Sequence, residues 1–208
     1  MLYYNAIQPT TLELLTSAMA LPALTETRLV GGTSLALQLG HRQSEDIDLF
    51  GTLRADEFEL FSQVNSLGDV ILIQNTSNIK VWTINGIKFD LVNYPYPWLE
   101  EMITTKNLRL AGKKDIAAMK LAAITGRGAR KDFIDIYFLL QEFSLGEMLR
   151  LYLNKYRDGS IMLVLKSLLY FNDAELEMES VMLTPIKWAR IKSTISALVE
   201  EYIDRNSQ

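Results

Sequence analysis

VGGTSLALQLGHRQSEDIDLFG, residues 30 to 51, is the stretch whose reading decides the fold. A short apolar run ends at Gly31-Gly32, a helical-looking segment from Thr33 to Leu39 follows, and thirteen residues after the glycines comes Asp46-Ile47-Asp48-Leu49. Two glycines where a strand turns into a helix let backbone N–H groups approach an anion closely, and the positive end of the helix dipole adds to the attraction. Thr33 and Ser34 offer hydroxyls at the same turn. In an extended Asp-Ile-Asp-Leu the side chains alternate, so Asp46 and Asp48 share one face while Ile47 and Leu49 point into the core.

Carboxylates two residues apart on a strand sit about 6 to 7 Å from each other. At an effective dielectric near 20 their repulsion is roughly 2.5 kcal/mol, which a divalent cation would reverse. Hard oxygen ligands beside a phosphate cradle suit Mg²⁺. The segment Gly86 to Asn93 reads as another strand and supplies a third carboxylate, Asp90, between Phe89 and Leu91. Asp46, Asp48 and Asp90 on adjacent strands are the expected holders of two metal ions, one acidifying an acceptor hydroxyl and one clamping a triphosphate. A glycine pair alone is a turn and an Asp-x-Asp alone is a solvated strand end. In this order and spacing they are similar to the pattern of the DNA polymerase β-type nucleotidyltransferase superfamily.

A second block narrows the resemblance. Asp115-Ile-Ala-Ala-Met-Lys120 and then Arg127-Gly-Ala-Arg130-Lys131-Asp132-Phe-Ile-Asp135, taken with GGTSLALQLGHR and DIDLF, resemble the AbiEii/AbiGii family of bacterial nucleotidyltransferase-like toxins. The similarity runs from about Leu29 to Leu140, and the last third of the chain carries no matching motif. The resemblance implies that Lys120 and an aspartate, Asp132 or Asp135, accompany the acidic site. It also implies a toxin–antitoxin or abortive-infection setting, an NTP substrate gripped by Gly31, Gly32, Thr33, Ser34 and Lys120, an RNA acceptor such as tRNA, and a cognate antitoxin.

Read physically, Asp115 is an expected N-cap, and Ile116, Met119, Ala123 and Ile124 recur at helical spacing, leaving Lys120 to face a cleft. Its ammonium would act as a point charge on phosphates. Asp132 and Asp135, three apart in an expected first helical turn, favour the helix dipole and suit pairing with Arg127, Arg130 or Lys120. The plain alternative for the aspartates is a cap and a surface ion pair.

The 208 residues carry a net charge of −4, with 49% hydrophobic content and no cysteine, which excludes disulfides and thiolate metal sites. The single histidine, His41, excludes histidine clusters and argues against a histidine base. There is no basic-then-apolar leader and no apolar run of membrane-spanning length, so a cytoplasmic protein without membrane contact is expected. Charge is uneven: Lys106 to Lys131 holds eight basic residues and one acid, a net of +7, against −11 elsewhere. That segment, with Arg127, Arg130 and Lys131 at its end, suits an RNA backbone or a nucleotide's phosphates, or is a set of solvated helix faces.

Helices are expected at 9–24, 33–39 and 56–65, and strands at 28–30, 46–51, 70–74, 80–84 and 87–93, with Asn85-Gly86 as a hairpin turn. Beyond Pro95-Tyr-Pro97 helices follow at 115–125, 131–142, 145–156, 160–170 and 185–204, the last with Pro185 in its first turn. The expected architecture is α+β: a mixed-sheet nucleotidyltransferase domain over 1–105 and a helical domain over 106–208. Two rival functions share these residues, a small-molecule nucleotidyltransferase of the antibiotic-modifying kind and a non-catalytic nucleotide-binding protein of the same fold.

Overall fold

The computed structural model describes residues 1–206. The chain divides into two compact units, one formed by Met1–Tyr96 with Glu101–Gly112 and the other by Pro97–Glu100 with the chain from Lys113 on. The first unit carries α1 (Pro9–Ala20), β1 (Thr27–Leu29), α2 (Gly31–Leu39), β2 (Ile47–Gly51), α3 (Glu57–Asn65), β3 (Val70–Asn75), β4 (Ile79–Ile84), β5 (Ile87–Asn93), β6 (Ile103–Thr105) and β7 (Leu108–Leu110). Its seven strands form one mixed sheet in the order β3-β4-β5-β2-β1-β7-β6. β2 runs parallel to β5 and antiparallel to β1, while β1 runs parallel to β7. This is the expected α+β class with a mixed sheet.

The alternation that marked β2 and β5 as strands also sorts their faces. Ile47, Leu49, Phe89 and Leu91 are fully buried and join Trp82, Ile84, Leu15, Leu24 and Leu37 in the core, whereas Asp48 and Asp90 lie on the other, half-buried face. Asn85 and Gly86 both adopt positive φ, as a two-residue hairpin between β4 and β5 requires. Two strands were not anticipated, β6 and β7, each three residues long. They carry the first unit's chain to Gly112, past the division expected at 105. Arg109 fastens them: its guanidinium donates to the carbonyls of Met19, Leu24 and Thr27 at 2.9 to 3.0 Å.

The second unit is helical: α4 (Lys113–Gly126), α5 (Arg130–Leu139), α6 (Leu145–Lys155), α7 (Ile161–Leu168), α8 (Asn172–Glu175) and α9 (Trp188–Asn206). α4 packs on α5, α6 and α7, and α9 on α5, α6 and α7. α6 starts with a capping box, in which Ser144 accepts from the Glu147 amide while the Glu147 carboxylate accepts from the Ser144 amide. Asp115 is not the N-cap of α4. It lies inside the first turn, fully buried, accepting hydrogen bonds from the Leu99 and Glu100 amides and pairing with Lys155 at 2.6 Å. Lys155 also donates to the Pro97 carbonyl and lies over the Trp98 ring, so this pair ties residues 97–100 to the helices. Pro185 does not open α9, which begins three residues later at Trp188.

Candidate active site

The glycine turn is built as the sequence implies. Val30 is the N-cap of α2 and makes no side-chain cap hydrogen bond. Gly31 holds φ +67°, and a Cβ there would fall on the Asp48 carboxylate. A Cβ on Gly32 would fall on the Arg42 guanidinium, with the Ser44 hydroxyl 3.4 Å away. Both glycines are therefore required by close approach, and the groups approaching them are an acid and a buried arginine. Arg42 was not singled out in the sequence; the signal for it is only its place between the glycine turn and the acids, on a loop whose return no pattern predicts.

Thr33 and Ser34 differ from expectation. Both are fully buried, with hydroxyls turned inward: Thr33 Oγ1 bonds Ser44 Oγ at 2.8 Å and donates to the Asp46 carbonyl, while Ser34 Oγ accepts from Gln38 at 3.1 Å. Thr33 fastens α2 to the segment leading into β2, and Ser34 fastens it to the Ala111 carbonyl just after β7, so the backbone of this turn is what can meet a phosphate.

Asp48 and Asp90 face each other in register on the parallel strands β2 and β5, and adjacent strands lie about 4.8 Å apart. Lys88 Nζ donates to Asp90 Oδ2 at 2.5 Å, while Asp90 Oδ1 is buried without a hydrogen-bond partner. Burial works against the charge on Lys88. The hydrogen bond to Asp90 and the negative charges of Asp90, Asp48 and Asp46 outweigh it and hold the ammonium above the ordinary lysine range. The three predicted acids thus converge electrostatically on one cation. Among the described residues no three His, Cys, Asp or Glu side chains are arranged as a ready metal cage. Mg²⁺ binds through one or two carboxylates and takes its other ligands from substrate phosphates and water. An in-register carboxylate pair with an unpartnered oxygen fits such an ion.

In the second unit the structure joins Lys120, Asp132, Asp135 and Arg127. Lys120 is buried, and its Nζ pairs with Asp132 Oδ1 at 2.7 Å and Asp135 Oδ2 at 2.5 Å. Arg127 Nε donates to Asp132 Oδ2 at 2.8 Å. Burial alone would raise the Asp132 carboxyl, but the charges and hydrogen bonds of Lys120 and Arg127 prevail and hold it below the usual carboxylate range. Both aspartates are buried partners of one lysine, not a cap and a surface pair. Asp132 lies in the first turn of α5, and Asp135 beyond it.

The basic segment is largely consumed by internal partners. Arg109 is spent on carbonyls, Lys113 on Glu142, and Lys120 on two aspartates. Arg130 donates to the Glu177 carbonyl and to Glu179 and stacks over Trp188. Of the three residues expected on an RNA track, Arg127 is well exposed and Lys131 half-exposed, while Arg130 is turned to the protein. A separate polar cavity of about 470 Å³ lies by the start of α3, lined by Glu57, Asn75, Thr76, Lys80 and Asn93. Its lysine is held by Asn75, Thr76 and Glu57, and Lys80 shares the sheet face of Leu91, opposite the acid pair.

The profile of the family described as "Nucleotidyl transferase AbiEii toxin, Type IV TA system" matches residues 13–81 and 81–205. The chain belongs to the AbiEii nucleotidyltransferase toxin family. An uncharacterised protein of Aquifex aeolicus, aq_aa25, is 35% identical over 199 residues, covering 92% of this chain and 95% of that one. Among solved structures, JHP933 from Helicobacter pylori superimposes with a TM-score of 0.57 at 16% identity, over 97% of this chain and 96% of its own. MenT4, a nucleotidyltransferase toxin from Mycobacterium tuberculosis, does so with a TM-score of 0.57 at 17% identity, over 92% of this chain and 84% of its own. At these identities the likeness is one of fold. As an AbiEii-family member the protein is a nucleotidyltransferase, with an NTP as substrate and a toxin–antitoxin setting that implies an antitoxin partner. No described helix is long and apolar enough to cross a membrane.

Proposed function

We propose that this AbiEii-family enzyme transfers a nucleoside monophosphate from an NTP to a hydroxyl of an RNA acceptor such as tRNA, with Mg²⁺. The observation that carries this reading is the register of Asp48 with Asp90 beside a glycine turn that Asp48 and Arg42 crowd. Mg²⁺ held by Asp48 and Asp90, with Asp46 alongside, would supply charge neutralisation on the triphosphate and acidify the acceptor hydroxyl. The acceptor oxygen bonds to the α-phosphorus as the bond from that phosphorus to the bridging oxygen breaks, and pyrophosphate leaves with the electron pair. Asp90 Oδ1, buried and unpartnered, is the base that takes the hydroxyl proton. The backbone at Gly31 and Gly32 binds phosphate at the positive end of α2. In the second unit Lys120 is buried and held by Asp132 and Asp135, so its charge serves the packing of α4 on α5 and the phosphates fall to the backbone of the glycine turn. Arg127, well exposed while it pairs with Asp132, and the half-exposed Lys131 are the cations offered to an RNA backbone.

The test is incorporation of each labelled NTP into total RNA by wild type and by Asp48→Asn, with and without Mg²⁺. Magnesium-dependent labelling that the variant loses supports the reading. Labelling of small molecules but not RNA replaces it with the antibiotic-type alternative.

A further inference from the structure

Within the second unit a cavity of about 390 Å³ opens at the C-terminal end of α4, walled by the turn from α4 to α5 and by the stretch that joins α7 to α8. Its volume lies within the span of about 300 to 1,000 Å³ usual for small-molecule sites. Tyr170, between α7 and α8, is 52% exposed, and neither its ring nor its hydroxyl has a partner among the described residues. Lys166, in the last turn of α7, and Asp173, in the first turn of α8, are exposed, and their side chains make no ion pair or hydrogen bond among those residues. Lys166 lies outside the basic segment 106–131, so a count of charge along the sequence passes it by. Arg127 is held differently: its Nε and Nη2 grip Asp132 at 2.8 and 3.1 Å, which fixes the guanidinium plane while more than half of the side chain stays exposed.

Gly126, the last residue of α4, leaves room beside Arg127. It does not hold a positive φ, and a Cβ there would meet nothing within 4 Å. Neither the backbone nor the packing requires a glycine at this position, although glycine is less favourable in a helix than alanine. Each of these groups alone is ordinary surface, but together they sort the ligand. A bare anion would be repelled by Asp173 and gain nothing from the tyrosine ring, and an apolar molecule would strip water from two cations and an acid. A nucleotide satisfies all of them, since its base stacks on an aromatic ring, its phosphates pair with cations and its base edge donates N–H to a carboxylate. In a duplex the base face and edge are already covered, so the fitting unit is unstacked and single-stranded.

We propose that this cavity is a subsite for one unstacked nucleotide of a single-stranded RNA segment: Tyr170 stacks on the base, Asp173 accepts from its N–H edge, and Lys166 and Arg127 meet the flanking phosphates. The proposal rests on RNA being the acceptor, and it adds which residues read that RNA and that a single strand is what they read. Binding of a short fluorescent single-stranded RNA, and of the same sequence as a duplex, to the full chain is followed by anisotropy in a salt series without NTP or Mg²⁺. Wild type should prefer the single strand. Tyr170→Leu should bind it roughly 5- to 100-fold more weakly, and Tyr170→Phe should stay within about twofold of wild type. Lys166→Gln should lower the slope of log affinity against log salt by about 0.7. Gly126→Leu should weaken RNA binding with an equal or higher melting temperature, which separates a filled site from a damaged fold. Isothermal titration of Mg·NTP against Tyr170→Leu runs alongside. A wild type that prefers the duplex, or single-strand binding that Tyr170→Leu matches, overturns the subsite and leaves RNA as the acceptor. A wild type that binds no RNA overturns both readings. Loss of Mg·NTP affinity in Tyr170→Leu assigns the cavity to the base of the NTP and also overturns the proposal.

Discussion

Two glycines with the same backbone requirement separate strain from function. Gly31 (φ +67°) and Gly86 (φ +80°) both occupy the left-handed region, but a Cβ would strike the Asp48 carboxylate at the first and meet nothing within 4 Å at the second. Gly86→Ala should cost about 1 to 3 kcal/mol of stability from backbone strain and leave nucleotide affinity unchanged. Gly31→Ala should cost at least as much and abolish Mg·NTP binding, because Asp48 must move; urea unfolding with isothermal titration checks both, and intact binding by the Gly31 variant would place the nucleotide elsewhere. The carboxylates carry a second expectation. Asp48→Asn should remove transfer while keeping the fold and an equal or slightly higher melting temperature, since it relieves repulsion among three acids that share one lysine. Gly31, Asp48 and Asp90 were legible in the sequence because strand alternation and a glycine turn fix their directions locally. Arg42 was not, since a long side chain returning from a loop leaves no periodic trace. The inward turn of the Thr33 and Ser34 hydroxyls depends on Ser44, Asp46 and Gln38, contacts that no local pattern announces.

Between elements, buried ion pairs set the pH and mutational response of the second unit. Asp132 joins α5 to Lys120 on α4, and its carboxyl is held below the usual range. A depressed carboxyl contributes stability that is complete above its unfolded value, about 3.9, and is lost as pH falls through the lower folded value, because the unfolded chain then binds more protons. Below about pH 4 wild-type stability should therefore fall more steeply than that of Asp132→Asn, as urea midpoints along an acid series would reveal; parallel slopes would remove Asp132 from the account. Lys120→Met leaves two buried carboxylates facing each other and should cost about 3 to 5 kcal/mol at neutral pH. Helical periodicity placed α4 and α5 correctly, yet it could not show which polar positions face inward, because an aspartate paired with a lysine in the core has the same spacing as one on the surface. β6 and β7 escaped for a different reason. Three residues are too few to display alternation, and their place is fixed by Arg109 reaching the carbonyls of α1, Leu24 and β1.

Over the whole chain, the net charge of −4 conceals a segment of +7, and the structure redistributes what that segment means. Charge read along a sequence counts every cation equally, whereas binding to a polyanion counts only those whose charge reaches solvent. Arg109 is held by carbonyls and Lys113, Lys120 and Arg130 by carboxylates within the protein, so at least half of the segment's eight cations have internal partners. Arg127 keeps a well-exposed guanidinium edge while gripping Asp132, and Lys131 is half-exposed. If the acceptor is RNA, Lys131→Gln and Arg127→Gln should each weaken binding and reduce the slope of log affinity against log salt by about 0.7 to 0.9 for every phosphate contact removed. Arg130→Gln should leave the slope unchanged and lower stability instead, since it breaks contacts to Glu177, Glu179 and Trp188. A salt series of RNA affinities for the three variants separates these outcomes. A slope that responds to Arg130 but not to Arg127 or Lys131 would mean that RNA is not tracked by the exposed cations, and a wild type with no RNA affinity would move the acceptor from RNA to a small molecule.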